Sequence, residues 1–183
     1  MAKVKFGLSN AVYAPIENDG TYGAIKQLPG SVSLSLEANG ENTTFFADNI
    51  AFYTSSSNAG YSGDFELAMI PDDFKSEVMG EQLDTNKVLV EKGGVAPKAF
   101  AFGCKINTDD NKGIYYWFYN VTATRPSVAG QTTEESTEVS TDTITLTVAS
   151  RASDGATRVA TTATTPDEVL AAWFTQVYEP VTT

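Results

Sequence analysis

The chain has 183 residues, 42% of them hydrophobic and 11% aromatic, which suits one generous core and not two. Twelve Lys and Arg stand against 23 Asp and Glu, a net charge of −11, and a field of that sign repels nucleic acid instead of condensing onto it. With no His and a single Cys104, Ser-His-Asp and Cys-His mechanisms, His-ligated metals, intrachain disulfides and Cys clusters are excluded, and no cofactor is expected.

From the N-terminus, MAKVKFGLSNAVYAPI has two lysines but no apolar run of signal-peptide length. No stretch approaches the ~18 apolar residues of a membrane span. The chain therefore reads as soluble, made in the cytoplasm, and without a membrane partner.

The dominant period is two. Strands are expected at residues 3–8, 11–16 and 22–28, then at Ser31–Glu37, where Val32, Leu34 and Leu36 alternate with Ser33, Ser35 and Glu37. Short strands at 43–47 and 50–55 flank an Asp48-Asn49 turn. Asp64–Met69 alternates again, with Phe65, Leu67 and Met69 expected to face a core together with Val32, Leu34 and Leu36. A helix opens at Pro71-Asp72-Asp73-Phe74 and stops at Gly80, burying Phe74 and Val78.

Further strands are expected at 87–91, 98–106 and 114–124, and at Thr143–Val148 and 157–163. Ile114–Tyr119 is apolar on both parities, as in a central strand covered on both sides. The segment 129–142 reads as a long acidic loop or hairpin tip. Thr165-Pro166-Asp167-Glu168 has the pattern of a capping box opening a C-terminal helix that runs to Pro180. Trp173, Phe174 and Val177 form its docking stripe, against its own sheets or a neighbouring subunit. The fold class is mainly β: an antiparallel β-sandwich or half-barrel with a short flanking helix and a C-terminal helix.

The bases are unevenly placed. No Lys or Arg occurs between Lys26 and Lys75, or between Arg125 and Arg151, and these windows hold the cleanest alternating strands. Their polar faces are either a solvated exterior or a surface kept from gripping a polyanion. Asp64 and Glu66 have the spacing of a glycosidase pair, but acids alternating on a wet strand with no aromatic cleft pattern read as solvated, and no enzyme is expected. Asp109-Asp110-Asn111-Lys112-Gly113 lacks the closing Glu of a calcium loop and reads as a hairpin turn. Cys104, between Phe102 and Ile106, reads as a buried small residue. Uncharged strands such as Thr43–Phe46 and Ile50–Thr54 are tolerable edges if copies of the chain pair them, which favours a homo-oligomer.

The order of motifs resembles a known family. VKFGLSNAVYAPI at 4–16, SVSLSLEANGENTTFFADNIAFYTSSSNAGYSGDFELAMIPDDF at 31–74, VLVE at 88–91, YNVTATRPS at 119–127 and DEVLAAWFTQVYEP at 167–180 together look like the major tail, or tail-tube, proteins of long non-contractile-tailed bacteriophages of Gram-positive hosts. The segment from Ala47-Asp48 to Asp72-Asp73 is the most specific part.

The resemblance implies a virion protein forming homohexameric rings. These stack into a tube that holds the tape-measure protein, meets tail terminator and distal tail or baseplate proteins, and passes double-stranded DNA without specific binding. It implies one tail-tube domain with an N-terminal arm (about 1–12), a C-terminal arm (about 165–183) and no added immunoglobulin-like domain. Ser33, Ser35, Glu37, Asp64 and Glu66 are then candidates for the lumen, and Asn39, Glu41, Asp48, Asn49 and Tyr53 for contacts between rings. The competing reading is a β-sandwich adhesin or carbohydrate-binding module of a tail tip.

Overall fold

A computed structural model describes residues 2–130, 132 and 139–181. The protein is mainly β, with antiparallel sheets and two short helices arranged as a β-sandwich. The principal strands are β1 (Lys5–Pro15), β2 (Lys26–Gln27) and β3 (Ser31–Ala38). Next come β4 (Asn42–Ala47), β5 (Ile50–Ser56), β6 (Tyr61–Leu67), β7 (Gln82–Leu83) and β8 (Leu89–Val90). The last four are β9 (Phe100–Thr108), β10 (Ile114–Ala123), β11 (Asp142–Ala149) and β12 (Arg158–Ala160). The large sheet runs β2-β1-β9-β10-β11-β6-β3, with β12 on the first half of β10. It curls until β3 lies against β1, so the inner face encloses a core.

That core is aromatic. Phe65, Phe100, Phe102 and Tyr13 are buried on the inner face with Ile144, Leu146 and Val148 of β11. Helix α1 (Asp72–Glu77) plugs one end of it. Extended Pro71 precedes its first turn, Asp72 and Asp73 sit at the positive end of the helix, and Phe74 is its buried residue. Phe74 meets Tyr13 edge-on at 4.9 Å and Phe100 at 5.3 Å, a geometry that aligns ring edges with ring faces. Tyr13 Oη donates to Glu77, and burial together with that carboxylate pushes its pKa up.

A second layer lies on the outer face. Val12, Ala14, Ala101, Trp117 and Tyr119 are covered by helix α2 (Asp167–Ala172) and the chain that follows it, chiefly Trp173 and Val177. The two layers meet at β10. Tyr116, Phe118, Val121 and Ala123 belong to the inner cluster and Trp117 and Tyr119 to the outer one. A register shift between Phe118 and Val121 accommodates this change of parity.

Several sequence expectations are corrected. Residues 5–12 are not an arm: β1 is one strand paired with β9 from Lys5 to Pro15, and the break expected near residue 9 is a bulge with Asn10 at φ 51°. Val32 is exposed because the β3–β6 register slips between Ser31 and Ser33, leaving Val32 outside the alternation. Met69, expected in the core, is 71% exposed; β6 ends at Leu67, and Ile70 is buried in its place with its N–H on Asp142. The 22–28 strand shrinks to β2 and an Ile16–Tyr22 bridge. The C-terminal helix covers only Asp167–Ala172. Thr165 does not cap it, because Pro166 holds the N-cap position and the Thr165 hydroxyl accepts the Thr162 N–H instead. Of the expected 129–142 loop, residues 131 and 133–138 lie outside the described residues, as do Met1 of the N-terminal arm and residues 182–183 of the C-terminal arm.

Gly63 is required by close approach. A Cβ there would stand 1.8 Å from the Ser35 carbonyl oxygen of the neighbouring strand. Gly63→Ala is expected to lower stability by more than about 1 kcal/mol, read as a fall in the denaturant midpoint; an unchanged midpoint would show that β3 can step away from β6.

Candidate functional site

The five residues expected on a lumen wall come together on one face. Opposite Glu66 on β6 stand Ser33 on β3 and Thr143 on β11; opposite Asp64 stand Ser35 and Thr145; opposite Ser62 stand Glu37 and Thr147. The next strand continues the surface, with Thr122 of β10 opposite Thr147 and the Thr124 N–H on the Thr145 carbonyl. All are polar because the alternate positions, Phe65, Leu67, Ile144, Leu146 and Val148, are buried in the core. The rows of this four-stranded face contain hydroxyls and carboxylates and no Lys or Arg.

Hydroxyls tie the acids down. Glu66 accepts from Thr141 Oγ1 at 2.6 Å and Ser33 Oγ at 2.9 Å, and Asp64 accepts from Thr145 Oγ1 at 2.7 Å. The Thr141 and Ser33 bonds hold the Glu66 carboxyl below its ordinary pKa, so it stays ionised at neutral pH. The side chains of Ser35 and Glu37 make no hydrogen bond among the described residues. Asp64 and Glu66 therefore form part of an open, hydrogen-bonded surface.

The residues expected between rings lie on a protrusion. Among the described residues β4 and β5 pair only with each other, and Asp48 and Asn49 form the tip at φ 52° and 64°, the signature of a tight two-residue hairpin turn. Glu41 lies near its base and Tyr53 is exposed on β5. Asn39 is only half exposed; it joins the hairpin to the sheet, bonding Gly60 and Ala59 through its backbone and the Ser62 hydroxyl through its side chain. Sequence reading named Tyr53 on this hairpin as a ring contact and took Phe45, Phe46, Ile50 and Phe52 only as parts of uncharged edge strands; each of these four is more than 60% exposed. The available signal was a positive-φ turn flanked by apolar residues on both parities.

The C-terminal docking residues are brought together on the chain's own sheet. Trp173 and Val177 are buried and Phe174 is half-buried, packed 5.6 Å from the Tyr115 ring and 6.0 Å from Trp117. Trp117 Nε1 donates to the Trp173 carbonyl at 3.0 Å and Tyr119 Oη to the Tyr178 carbonyl at 2.7 Å. Arg151 lies over the Tyr119 ring and bonds Asp154 and Glu179, holding the Asp154 carboxyl down to about 2. Trp173 Nε1 is buried with no acceptor among the described residues.

At the hairpin end the core opens into a cleft of ≈ 280 Å³ lined by Leu34, Leu36, Ile106, Tyr116 and Phe118, with Arg158 among its lining residues and donating to Tyr61. Cys104 lies at its floor, fully buried, and burial pushes its thiol up to about 12, so it remains a protonated packing group. Asp110 accepts the Thr108 hydroxyl within a tight turn where Asn111 and Gly113 have positive φ. Among the described residues no cluster of acids could hold a metal ion, and no helix is long and apolar enough to cross a membrane.

No family model and no curated protein matches the sequence. The functional reading rests on the residues themselves.

Two outcomes are expected here. Combining Thr141→Val with Ser33→Ala should raise the Glu66 pKa toward its ordinary value, followed by carbon-13 NMR titration. Because the folded pKa is depressed, the stabilisation from these bonds is present above the unfolded carboxyl pKa and disappears as pH falls through the folded value; an unmoved titration would remove the hydroxyls as its cause. Trp173→Ala should cost about 3–5 kcal/mol. Trp173→Phe, which keeps the stack on Tyr178 and deletes the orphan donor, should cost well under half of that. Equal losses in thermal melts would show that the site needs the full indole and not only one aromatic ring.

Proposed function

We propose that the chain is a structural virion protein, a self-assembling subunit of the tail-tube kind that its sequence resembles. In this reading six copies form a ring and rings stack into a hollow tube. The face built by β3, β6, β11 and the end of β10 lines the bore, and the β4–β5 hairpin reaches toward the next ring. The tube holds the tape-measure protein, meets terminator and distal tail proteins at its ends, and later conducts double-stranded DNA.

The observation that carries this reading is the base-free face itself. DNA binds proteins by releasing condensed counterions to Lys and Arg. A wall with hydroxyls, Glu37, Asp64 and Glu66 but no cation offers no such gain, and its negative field repels the polyanion. Hydroxyls keep the wall wet while presenting no fixed charge for phosphate to settle on. DNA can then slide.

The exposed aromatics of the hairpin favour a second reading, a tail-tip adhesin or carbohydrate-binding module, since stacked rings recognise sugars and protein surfaces alike. The two readings separate by assembly. Negative-stain electron microscopy of concentrated protein should show six-fold rings or tubes of uniform bore; a species that stays monomeric at every concentration, with or without an initiating tail-tip complex, would overturn the tube reading.

The wall has its own test. Ser35→Lys with Glu37→Lys places two cations at exposed positions that make no side-chain bonds. Tubes should still form, while DNA delivery by the assembled particle falls. Normal delivery would sink the sliding-wall mechanism.

A further inference from the structure

Strand β10 shares one edge between two partners. β11 pairs its second half, Asn120 to Ala123, and β12 pairs its first half, where Phe118 stands opposite Arg158 and Tyr116 opposite Ala160. Residues directly opposite in an antiparallel pair share a face, so Arg158 joins Tyr116 and Phe118 on the inner side of the sheet. Leu34 and Leu36 of β3 and Tyr61 of β6 come in from the other side. Between them lies the cleft of ≈ 280 Å³ with Cys104 at its floor. That is the small end of ligand pockets, which run from about 300 to 1,000 Å³.

Arg158 is the only charged side chain among the described residues of this lining, and it is held in place. Its Nε donates to Tyr61 Oη at 2.8 Å, and its Cζ lies 5.4 Å from the Tyr61 ring centroid and 5.7 Å from that of Tyr116, within reach of cation–π attraction. The other two arginines, Arg125 and Arg151, are each clamped by carboxylates. Among the described residues Arg158 meets none, and both its terminal nitrogens lack an acceptor. A guanidinium fork oriented by two tyrosines and left open has the geometry to take a carboxylate through two parallel hydrogen bonds.

The rest of the lining is apolar or aromatic, which favours an apolar body. One guanidinium balances one negative charge; a phosphate dianion would keep a surplus charge against a chain of net −11. We infer that the cleft binds a small apolar monocarboxylate, with its carboxylate on the Arg158 fork and its hydrocarbon body against Leu34, Leu36 and Phe118. The site is complete within one copy, so it stands independently of the tube reading.

Calorimetric titration of the purified chain with octanoate tests this. Octanoate should saturate at one per chain, and octanol, which lacks the charge, should bind roughly tenfold or more weakly. Shortening the probe to hexanoate should also cost roughly tenfold, since each buried methylene is worth about fourfold in affinity. Phenylpropionate separates the two kinds of body: tighter binding than octanoate assigns an aryl carboxylate, weaker binding an alkyl one. Arg158→Met keeps an apolar stem without the fork; it should bring octanoate down to the level of octanol and leave octanol unmoved, with melts confirming the fold. Arg158→Lys, which keeps the charge but not the fork, should recover only part of the loss. Absence of saturable octanoate binding in the millimolar range, equal affinity for octanol, or an octanoate affinity untouched by both Arg158 variants would each overturn the proposal.

Discussion

One change of face in β10 organises the rest of the molecule. Along a regular strand, alternation would give each face a single character from end to end. At the register shift between Phe118 and Val121 the parity resets. Trp117 and Tyr119 then share the outer surface with Thr122, while Phe118 and Val121 both reach the core. The outer surface is thereby divided. Its first half is aromatic and must be covered, which the α2 segment does through Trp173 and Val177. Its second half is bare and joins β11, β6 and β3 in an unbroken field of hydroxyls. Without the reset, one of these two surfaces would lose its continuity at β10.

Charge follows the same division. The strands of the bare half lie in the two stretches of sequence without Lys or Arg, whereas Lys26, Lys75 and Arg125 are held in ion pairs around α1 and β8. The net charge of −11 is therefore not a general property of the surface. It reflects an absence of cations along a particular wall and along the hairpin that extends from it. The proposed assembly uses both regions: a wall that does not hold DNA and a protrusion that reaches beyond it.

Much of this was legible in sequence, and the exceptions have physical causes. Perfect alternation at Ser33–Glu37, Asp64–Leu67 and Thr143–Val148 located the wall strands and their faces, because burying one parity leaves no freedom to the other. Ile114–Tyr119, apolar on both parities, did prove to be covered on both sides. Periodicity failed where the ladder slips: Val32 sits at a register shift and Met69 lies beyond the last paired residue, so neither obeys the pattern of its strand. The capping box at Thr165 failed because proline at the next position carries the extended dihedrals of an N-cap itself. Adjacency across the sheet could not be read at all. Thr122, Ser62 and Thr141 join the site only through pairings between strands distant in sequence, and nothing in their own neighbourhoods marks them.

The wall and the hairpin are one continuous ribbon. β3 runs through Asn39 and Glu41 into β4, and β5 returns through Ser57 and Ala59 into β6, with backbone hydrogen bonds across the joint. A pull on the aromatic tip is therefore a pull on the two strands that carry Glu37 and Asp64. In a stack, tension at one level would be handed to the lining of that level without crossing a loop. In the proposed tube the lever and the lining would be the same strands, so a mechanical signal travelling along the axis would register first on the inner surface.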